Sequence, residues 1–398
     1  MKYSGSKSLG NYIRNERNLQ ILRLWRKRAR FFFTGRSRGG YDGSMRPQDL
    51  AERLTYILSR SPIFPGESLA VDIIANPKAG GFTRPKYARR RAAELDELAR
   101  RAAALPARRE PFKLRLHLTE RSGHAAELAL GVMDAAREDP PLTRRIVLTA
   151  GGDGTSLETA HALTELDASA RDRFALLRLP FGTGNDGSEG RDLTVCLGRL
   201  LGPVTTSLRR AILVTPNPEG GKLPSYAFNI ASIGFDAFVG DLTNRLKRVM
   251  PGDSYKLFLD LSAAFYDRIW PVGTMGVRAM DAAGTVVAEF ERECLLLAVG
   301  ASGNRQYGSN KPILPDEDNA CAVFQMSLFK KLYYKDRIAA GKHRGLDVAR
   351  LFSGERFEVT YFKPVLSQRD GEVTELGARD FPLVYELTEP IYNVLVPL

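Results

Sequence analysis

The sequence is poor in the residues that close small secreted or metal-bound folds. It has three cysteines, Cys196, Cys294 and Cys321, and four histidines in 398 residues. An odd, sparse cysteine set gives no disulfide framework and fits a reducing compartment. C-x-x-C and H-E-x-x-H are both missing, which argues against a zinc site. No apolar run reaches about 18 residues, so no transmembrane helix is expected. The N-terminus is basic but lacks the apolar stretch of a signal peptide. G-x-x-x-x-G-K-[ST] is absent, the G-x-S-x-G match GRSRG (Gly35–Gly39) lies in a linker-like stretch and makes no nucleophile elbow, and KHRGLD (Lys342–Asp347) is not a protein-kinase catalytic loop.

What is present suits two ordinary domains. Hydrophobic residues make up 43% of the chain, enough for a large core and too many for global disorder. The formal charge of +12 is unevenly placed. Residues 1–46 carry 12 Lys/Arg against 2 Asp/Glu, whereas the rest carries 46 against 44. The basic character therefore belongs to an N-terminal extension. Within it, Asn11–Phe33 reads as a basic amphipathic helix followed by an aromatic cluster, a pattern that lies on anionic membranes or docks on the body. No nucleic-acid-binding module accompanies it, and no nucleic-acid partner is expected. Phe33–Ser44 reads as a linker, and Arg46–Pro62 as a short amphipathic helix.

From Ser68 the chain alternates. SLAVDIIANP, FKLRLHLT, RRIVLTA and RFALLRLP read as strands, each followed by a helical pattern. Four such pairs predict a parallel sheet with helical crossovers. From about Arg209 strand patterns dominate, interrupted by a helical insert at roughly Asp241–Tyr266, which predicts a sandwich-like β domain. The expected division is a basic extension over 1–65, an α/β domain over 66–207, and a β-rich domain over 208–398. The C-terminal segment is expected to return to the first domain.

The four strand ends carry polar or glycine-rich loops: NPKAGG (Asn76–Gly81), TERSGHA (Thr119–Ala125), GGDGT (Gly151–Thr155) and PFGTGND (Pro180–Asp186). An open parallel sheet binds ligands at that edge. Glycines before a helix let a phosphate approach free backbone N–H groups. Asp153 lies among them, and its carboxylate would repel a phosphate unless a cation lay between. GTGNDG also fits G-x-G-x-x-G, but Leu200–Arg210 lacks the acidic residue a dinucleotide ribose wants.

NPKAGG, GGDGT and PFGTGND, in this order and spacing, resemble the diacylglycerol kinase catalytic-domain family, closest in look to soluble bacterial lipid kinases and their sphingosine kinase kin. FNIASIGFDAFVG (Phe228–Gly240) and RDGEVTEL (Arg369–Leu376) continue the resemblance over roughly residues 68–398. It implies a Rossmann-like domain followed by a β-sandwich, with ATP and a membrane lipid in the cleft between them. It implies nucleotide contacts from Asn76, Pro77, Gly80, Gly81, Thr119, Gly151, Gly152, Gly154, Thr155, Gly182, Thr183 and Asn185. Asp153 and Asp186 would hold Mg²⁺, and Asp153, Asp370 and Glu372 would be catalytic, with Asp370 or Glu372 taking the proton of the lipid hydroxyl. Asp370-Gly371 is equally a hairpin-turn signal, and Asp236 is open between structural and functional roles. Where the family has an Asp-Gly pair that holds a structural metal, Asp318–Asn319 stands here; Asn tolerates positive φ, so the turn can survive. The function so implied is an ATP- and Mg²⁺-dependent lipid kinase, cytoplasmic and peripheral at the inner membrane face, docked through residues 11–33 and free to form oligomers. GGDGT alone also fits an NAD kinase, and a catalytically inactive lipid-binding module is the third reading.

Overall fold

A computed structural model of the chain describes residues 45–140, 142–182, 185, 187–246, 266–307 and 311–398. The extension over residues 1–44, and with it the segment 11–33, lies outside the described residues, as does most of the insert expected at 241–266.

Strands β1 (Ser68–Ala75), β2 (Phe112–Leu118), β3 (Thr143–Gly151) and β4 (Phe174–Pro180) run parallel. Apart from the edge strand β2, their near-continuous apolar sequences are those of strands covered on both faces. Strand β5 (Val204–Arg209) follows, and β19 (Tyr392–Pro397) comes back from the end of the chain to sit between β4 and β5. The order of this first sheet is β2-β1-β3-β4-β19-β5. The returning strand pairs antiparallel with β5 along its length.

Helix α1 (Pro47–Leu58) begins with proline at its first position, where the missing N–H costs nothing. Its apolar residues at i, i+4, i+7 and i+8 form one stripe. Leu50, Leu54, Ile57 and Leu58 are fully buried in the first core. Each contributes roughly 1.5–3 kcal/mol by burial. Residues 45–64, grouped with the extension from sequence, therefore pack into the α/β core. Helices α2 (Gly80–Thr83), α3 (Pro85–Ala103), α4 (His124–Ala135), α5 (Asp153–Leu163), α6 (Ala168–Arg171) and α7 (Leu193–Gly198) lie in the connections between these strands.

The second domain is one continuous antiparallel sheet that curls on itself. Its strands are β6 (Ile212–Thr215), β7 (Ser225–Ala227), β8 (Ile230–Gly234), β9 (Thr274–Met280), β10 (Val286–Gly300), β15 (Arg356–Thr360), β16 (Val365–Arg369), β17 (Glu372–Leu376) and β18 (Leu383–Leu387). They are ordered β17-β16-β8-β10-β9-β15-β18-β6-β7. Strand β13 (Ala320–Phe324) branches from β10 and carries β14 (Ala349–Phe352). A separate ribbon joins β11 (Arg305–Tyr307) to β12 (Lys311–Leu314). Strand β10 makes the curl: its first half pairs with β9 and its second with β8 and β13. The sandwich expected from sequence is thus formed by a sheet folded over rather than by two separate sheets. One core, including Val277, Leu297, Phe357 and Tyr385, fills the fold. Helix α8 (Phe235–Leu246) follows β8, and α9 (Leu328–Ala339) lies between β13 and β14. The chain crosses between domains twice, side by side: Ile391 N–H donates to Arg209 O, and Thr388 N–H to Ala211 O, both at 2.9 Å.

Candidate active site

Strands β1 to β4 end in register, with Ala75 opposite Leu118 and Ala150, and Gly151 opposite Pro180. Their four loops share the carboxyl edge of the sheet and are tied to one another. Asn76 N–H donates to Ala150 O at 3.0 Å, Thr119 N–H to Ala75 O at 2.9 Å, and Gly81 N–H to Phe181 O at 2.8 Å. Asn76 Oδ1 accepts Lys78 N–H at 2.9 Å, an Asx turn that carries Pro77. Gly80 opens the short α2, and Phe82 behind it stacks on Phe181 with centroids 4.3 Å apart. At the second loop, Glu158 of α5 accepts N–H bonds from Gly123 at 2.8 Å and Ala125 at 3.1 Å. The N-terminus of α4 is thereby already satisfied by a carboxylate from within the chain.

Asp153 is the first residue of α5, after Gly152 in extended conformation. The helix N-cap, Gly152, brings no side chain of its own, and the helix's first-turn N–H groups and partial positive charge lie at the edge. Gly151 precedes them, and Thr155 is buried just beneath. The loop after β4 closes over the same point. Asn185, at φ +61°, donates its N–H to Asp153 Oδ2 at 3.2 Å and its Nδ2 to Gly182 O at 3.1 Å. A Cβ on Gly182 would stand 2.7 Å from the Gly152 Cα, so the two loops meet backbone to backbone. On the far side, the buried Arg178 donates to Glu189 Oε1 at 3.0 Å and steadies the loop from behind. Thr183 and Asp186 lie outside the described residues.

The late Asp-Gly-Glu segment reaches this edge from the other domain. Strands β16 and β17 form a hairpin whose two-residue turn is Asp370–Gly371. Both turn residues have positive φ, +47° and +92°, which is the twist a two-residue hairpin requires. Asp370–Gly371 is thus the hairpin turn that the Asp-Gly signal predicted. A Cβ on Gly371 would lie 3.5 Å from Asp153 Oδ2. The exposed Glu372 side chain lies against Gly154, its Oε1 2.7 Å from where a Cβ there would begin.

Asp370 does not reach the cleft. It is 4% exposed, and its carboxylate accepts N–H bonds from Phe228 at 2.6 Å and from Asn229 and Ile230 at 2.9 Å. Burial pushes this carboxyl up, while the three N–H donors and the charge of Arg178 oppose the shift. With its oxygens spent on the backbone, Asp370 is the clamp that fixes the hairpin. The expectation that it faces a reacting hydroxyl is not met.

Asp236 belongs to the scaffold of the same hairpin. Gly371 N–H donates to Gln368 Oε1 at 2.7 Å, and Gln368 Nε2 to Ser232 Oγ at 2.9 Å. Ser232 Oγ and, at 2.6 Å, Tyr307 OH donate to Asp236 Oδ2. Asp236 Oδ1 is buried with no hydrogen-bond partner among the described residues, and burial raises this carboxyl above its ordinary value. Gln368, Ser232, Tyr307, Glu158 and Arg178 were missed from sequence. The only available signal was a polar side chain inside a strand or helix pattern.

The acidic stretch at Asp316–Asp318 holds a guanidinium. Arg344 pairs with both Asp316 and Asp318, and Ser353 Oγ donates to Asp318 Oδ1 at 2.7 Å. Asn319 has no positive φ; instead its carboxamide exchanges two hydrogen bonds with the Gly354 backbone, at 2.9 and 3.0 Å. Among the described residues no group of three His, Cys, Asp or Glu side chains is placed to hold a metal ion. Among them, too, no helix is long and apolar enough to cross a membrane.

Residues 71–196 match the family model of the diacylglycerol kinase catalytic domain. A Pseudomonas fluorescens protein named "Probable lipid kinase YegS-like" is 29% identical over 220 residues, covering 54% of this chain and 62% of the relative. A Yersinia enterocolitica protein of the same name is 27% identical over 180 residues, covering 45% of this chain and 55% of the relative. The chain thus spans between half and two thirds of the length of these relatives. Its fold is that of a crystal structure from Bacillus anthracis described as a "putative diacylglycerol kinase", with a TM-score of 0.52 at 17% identity over 82% of this chain and 96% of that one. The resemblance read from the motifs is borne out: this chain is similar to the diacylglycerol kinase catalytic-domain family and to bacterial YegS-like lipid kinases.

Proposed function

We propose that the chain transfers the γ-phosphoryl group of ATP to the hydroxyl of a membrane lipid, diacylglycerol or a related lipid alcohol. The observation that carries this reading is the meeting of Glu372, from the β domain, with the Asp153–Gly154 turn at the start of α5. It places a carboxylate beside the N–H groups best suited to a phosphate, as phosphoryl transfer to a hydroxyl requires.

The roles follow from position. Gly152, Gly154 and Thr155 present N–H groups and the positive end of α5 to the phosphates. The tied loops at Asn76–Gly81 and Thr119 border the space for the rest of the nucleotide. The lipid oxygen attacks the γ-phosphorus as the bond to the β,γ-bridging oxygen breaks and ADP leaves, and Glu372 accepts the hydroxyl proton. Asp153 sets a carboxylate at a turn that also has to receive phosphate, a pairing that fits a divalent cation between them. Such an ion, held by Asp153 with Asp186, would neutralise phosphate charge. The basic segment 11–33 would add attraction to an anionic lipid surface, at about 1 kcal/mol per basic side chain near it.

The test is transfer of labelled phosphate from ATP to mixed total lipids, with wild type beside Asp153→Ala and Glu372→Gln. Label in a lipid, lost in both variants, is the expected result. Label entering NAD instead would establish the soluble-acceptor reading, and nucleotide binding without transfer the regulatory one.

A further inference from the structure

A second surface of the β domain carries features that the phosphoryl site does not use. Helix α9 turns Lys331 and Ile338 inward. Lys331 Nζ pairs with Asp267 at 2.6 Å. Its outer face exposes Leu328, Phe329, Leu332 and Tyr333, with Phe329 84% and Tyr333 64% accessible. These positions, spaced one, four and five residues on from Leu328, form one stripe over the first two turns. Phe362, 83% accessible, lies in the turn between β15 and β16. That turn is bound to the segment after Asp267: Gly273 N–H donates to Tyr361 OH, and Lys363 Nζ to Val272 O, both at 2.9 Å. Ile269, in the same segment, is also exposed.

Leaving so many aromatic and aliphatic side chains in water has no folding benefit, and the charges around them are mostly of one sign. Lys330, Lys335 and Arg337 belong to α9 itself, Arg268 follows Asp267, and Lys363 follows Phe362. Arg337 lies 5.6 Å from the centre of the Tyr333 ring. Of the nearby acids, Asp267 is taken by Lys331, Asp347 lies 3.9 Å from Lys330, and Asp336 stands among the remaining cations. An apolar aromatic face with a cationic rim matches the chemistry of a bilayer surface: rings at headgroup depth, cations on lipid phosphates.

We infer that α9 and the Phe362 turn are a docking surface for a bilayer containing anionic lipid. Its position is apt. Ile338 under α9 and Val373 beside Glu372 share one hydrophobic cluster with Tyr266 and Leu366. The docking face and the Glu372 hairpin therefore belong to the same layer of the β domain. The inference is about where the chain meets lipid, and its readout is binding, so it stands apart from the phosphoryl-transfer reading.

The three native cysteines are all buried, so Phe329→Cys in the full chain can be labelled selectively with an environment-sensitive nitrobenzoxadiazole dye. Leu142→Cys, at an exposed position on the opposite edge of the first sheet, is the control. Vesicles of phosphatidylglycerol in phosphatidylcholine should brighten and blue-shift the dye at 329 and leave the dye at 142 unchanged. Phe329→Glu with Tyr333→Glu should weaken vesicle co-sedimentation about tenfold or more. A chain that co-sediments while the dye at 329 stays silent docks through another segment, and the inference fails. It fails equally if no vesicle is bound. A dye response that rises with protein concentration without vesicles would assign the face to a second copy of the chain and overturn the inference too.

Discussion

The Glu372 carboxylate lies where a side chain on Gly154 would begin, 2.7 Å from that Cβ position. One residue closes a β-hairpin of the second domain; the other is in the first turn of a helix of the first. Their contact defines the site, and substitutions at either end separate its chemistry from its stability. Glu372→Gln keeps the shape and removes the proposed base. Lipid phosphorylation should fall by about 10²–10⁴-fold while ATP still binds. Steady-state transfer and nucleotide titration check both halves.

Gly154→Ala and Gly182→Ala should behave differently, though both crowd the same place. At 154 the new methyl meets the end of a flexible, exposed side chain, which can swing away. The protein should keep its melting temperature and lose transfer. At 182 the methyl meets the Cα of Gly152 at 2.7 Å, and backbone cannot yield so easily. That variant should lose roughly 1–3 kcal/mol in denaturant unfolding as well as activity.

Asp370→Ala tests the clamp. It strands three N–H groups, of Phe228, Asn229 and Ile230, that Asp370 now satisfies. Unsatisfied buried donors cost roughly 1–3 kcal/mol each, so a loss of about 3 kcal/mol or more is expected. Unchanged stability with abolished transfer would return Asp370 to a chemical role.

Asp236→Asn tests the buried network through pH. Burial raises the Asp236 carboxyl above its unfolded value of 3.8, so the native state holds the proton more tightly. The stabilisation that gives is complete below the unfolded value and is lost as pH rises through the folded one. Asparagine keeps an oxygen for Ser232 and Tyr307 and carries no proton to lose. Melting curves taken upward from about pH 4 should show wild type losing stability relative to Asp236→Asn. Parallel curves would remove Asp236 from the pH response.

Truncation should find the edge of the body sharply. Removing residues 1–44 keeps Met45, whose N–H is bound to Phe82 O at 3.1 Å, and every described residue of the first core, so that chain should still fold cooperatively. Removing residues 1–58 deletes α1 and uncovers the core under Leu50, Leu54 and Ile57. That chain should be insoluble, or less stable by several kcal/mol. Solubility and thermal unfolding of the two truncations decide it.

The sequence alone determined what depends on local pattern. Apolar runs closed by glycine loops gave the parallel sheet, because strands covered on both faces must be apolar throughout. The glycine spacing marked the candidate phosphate edge, since only glycine allows such close approach before a helix. Asp-Gly before Glu372 marked a hairpin turn. Tertiary structure decided what depends on residues far apart in the chain. It placed β19 inside the first sheet and curled the second around β10, because strand partners are chosen by packing over long loops. It drew α1 into the core, because a buried stripe looks the same in sequence whether it covers this domain or another surface. It also separated two acids that flank a single glycine. Asp370, in the turn itself, faces backbone N–H groups, while Glu372, at the start of the next strand, faces the cleft. A hairpin turn sends its side chains apart, and no local pattern says which side holds the ligand.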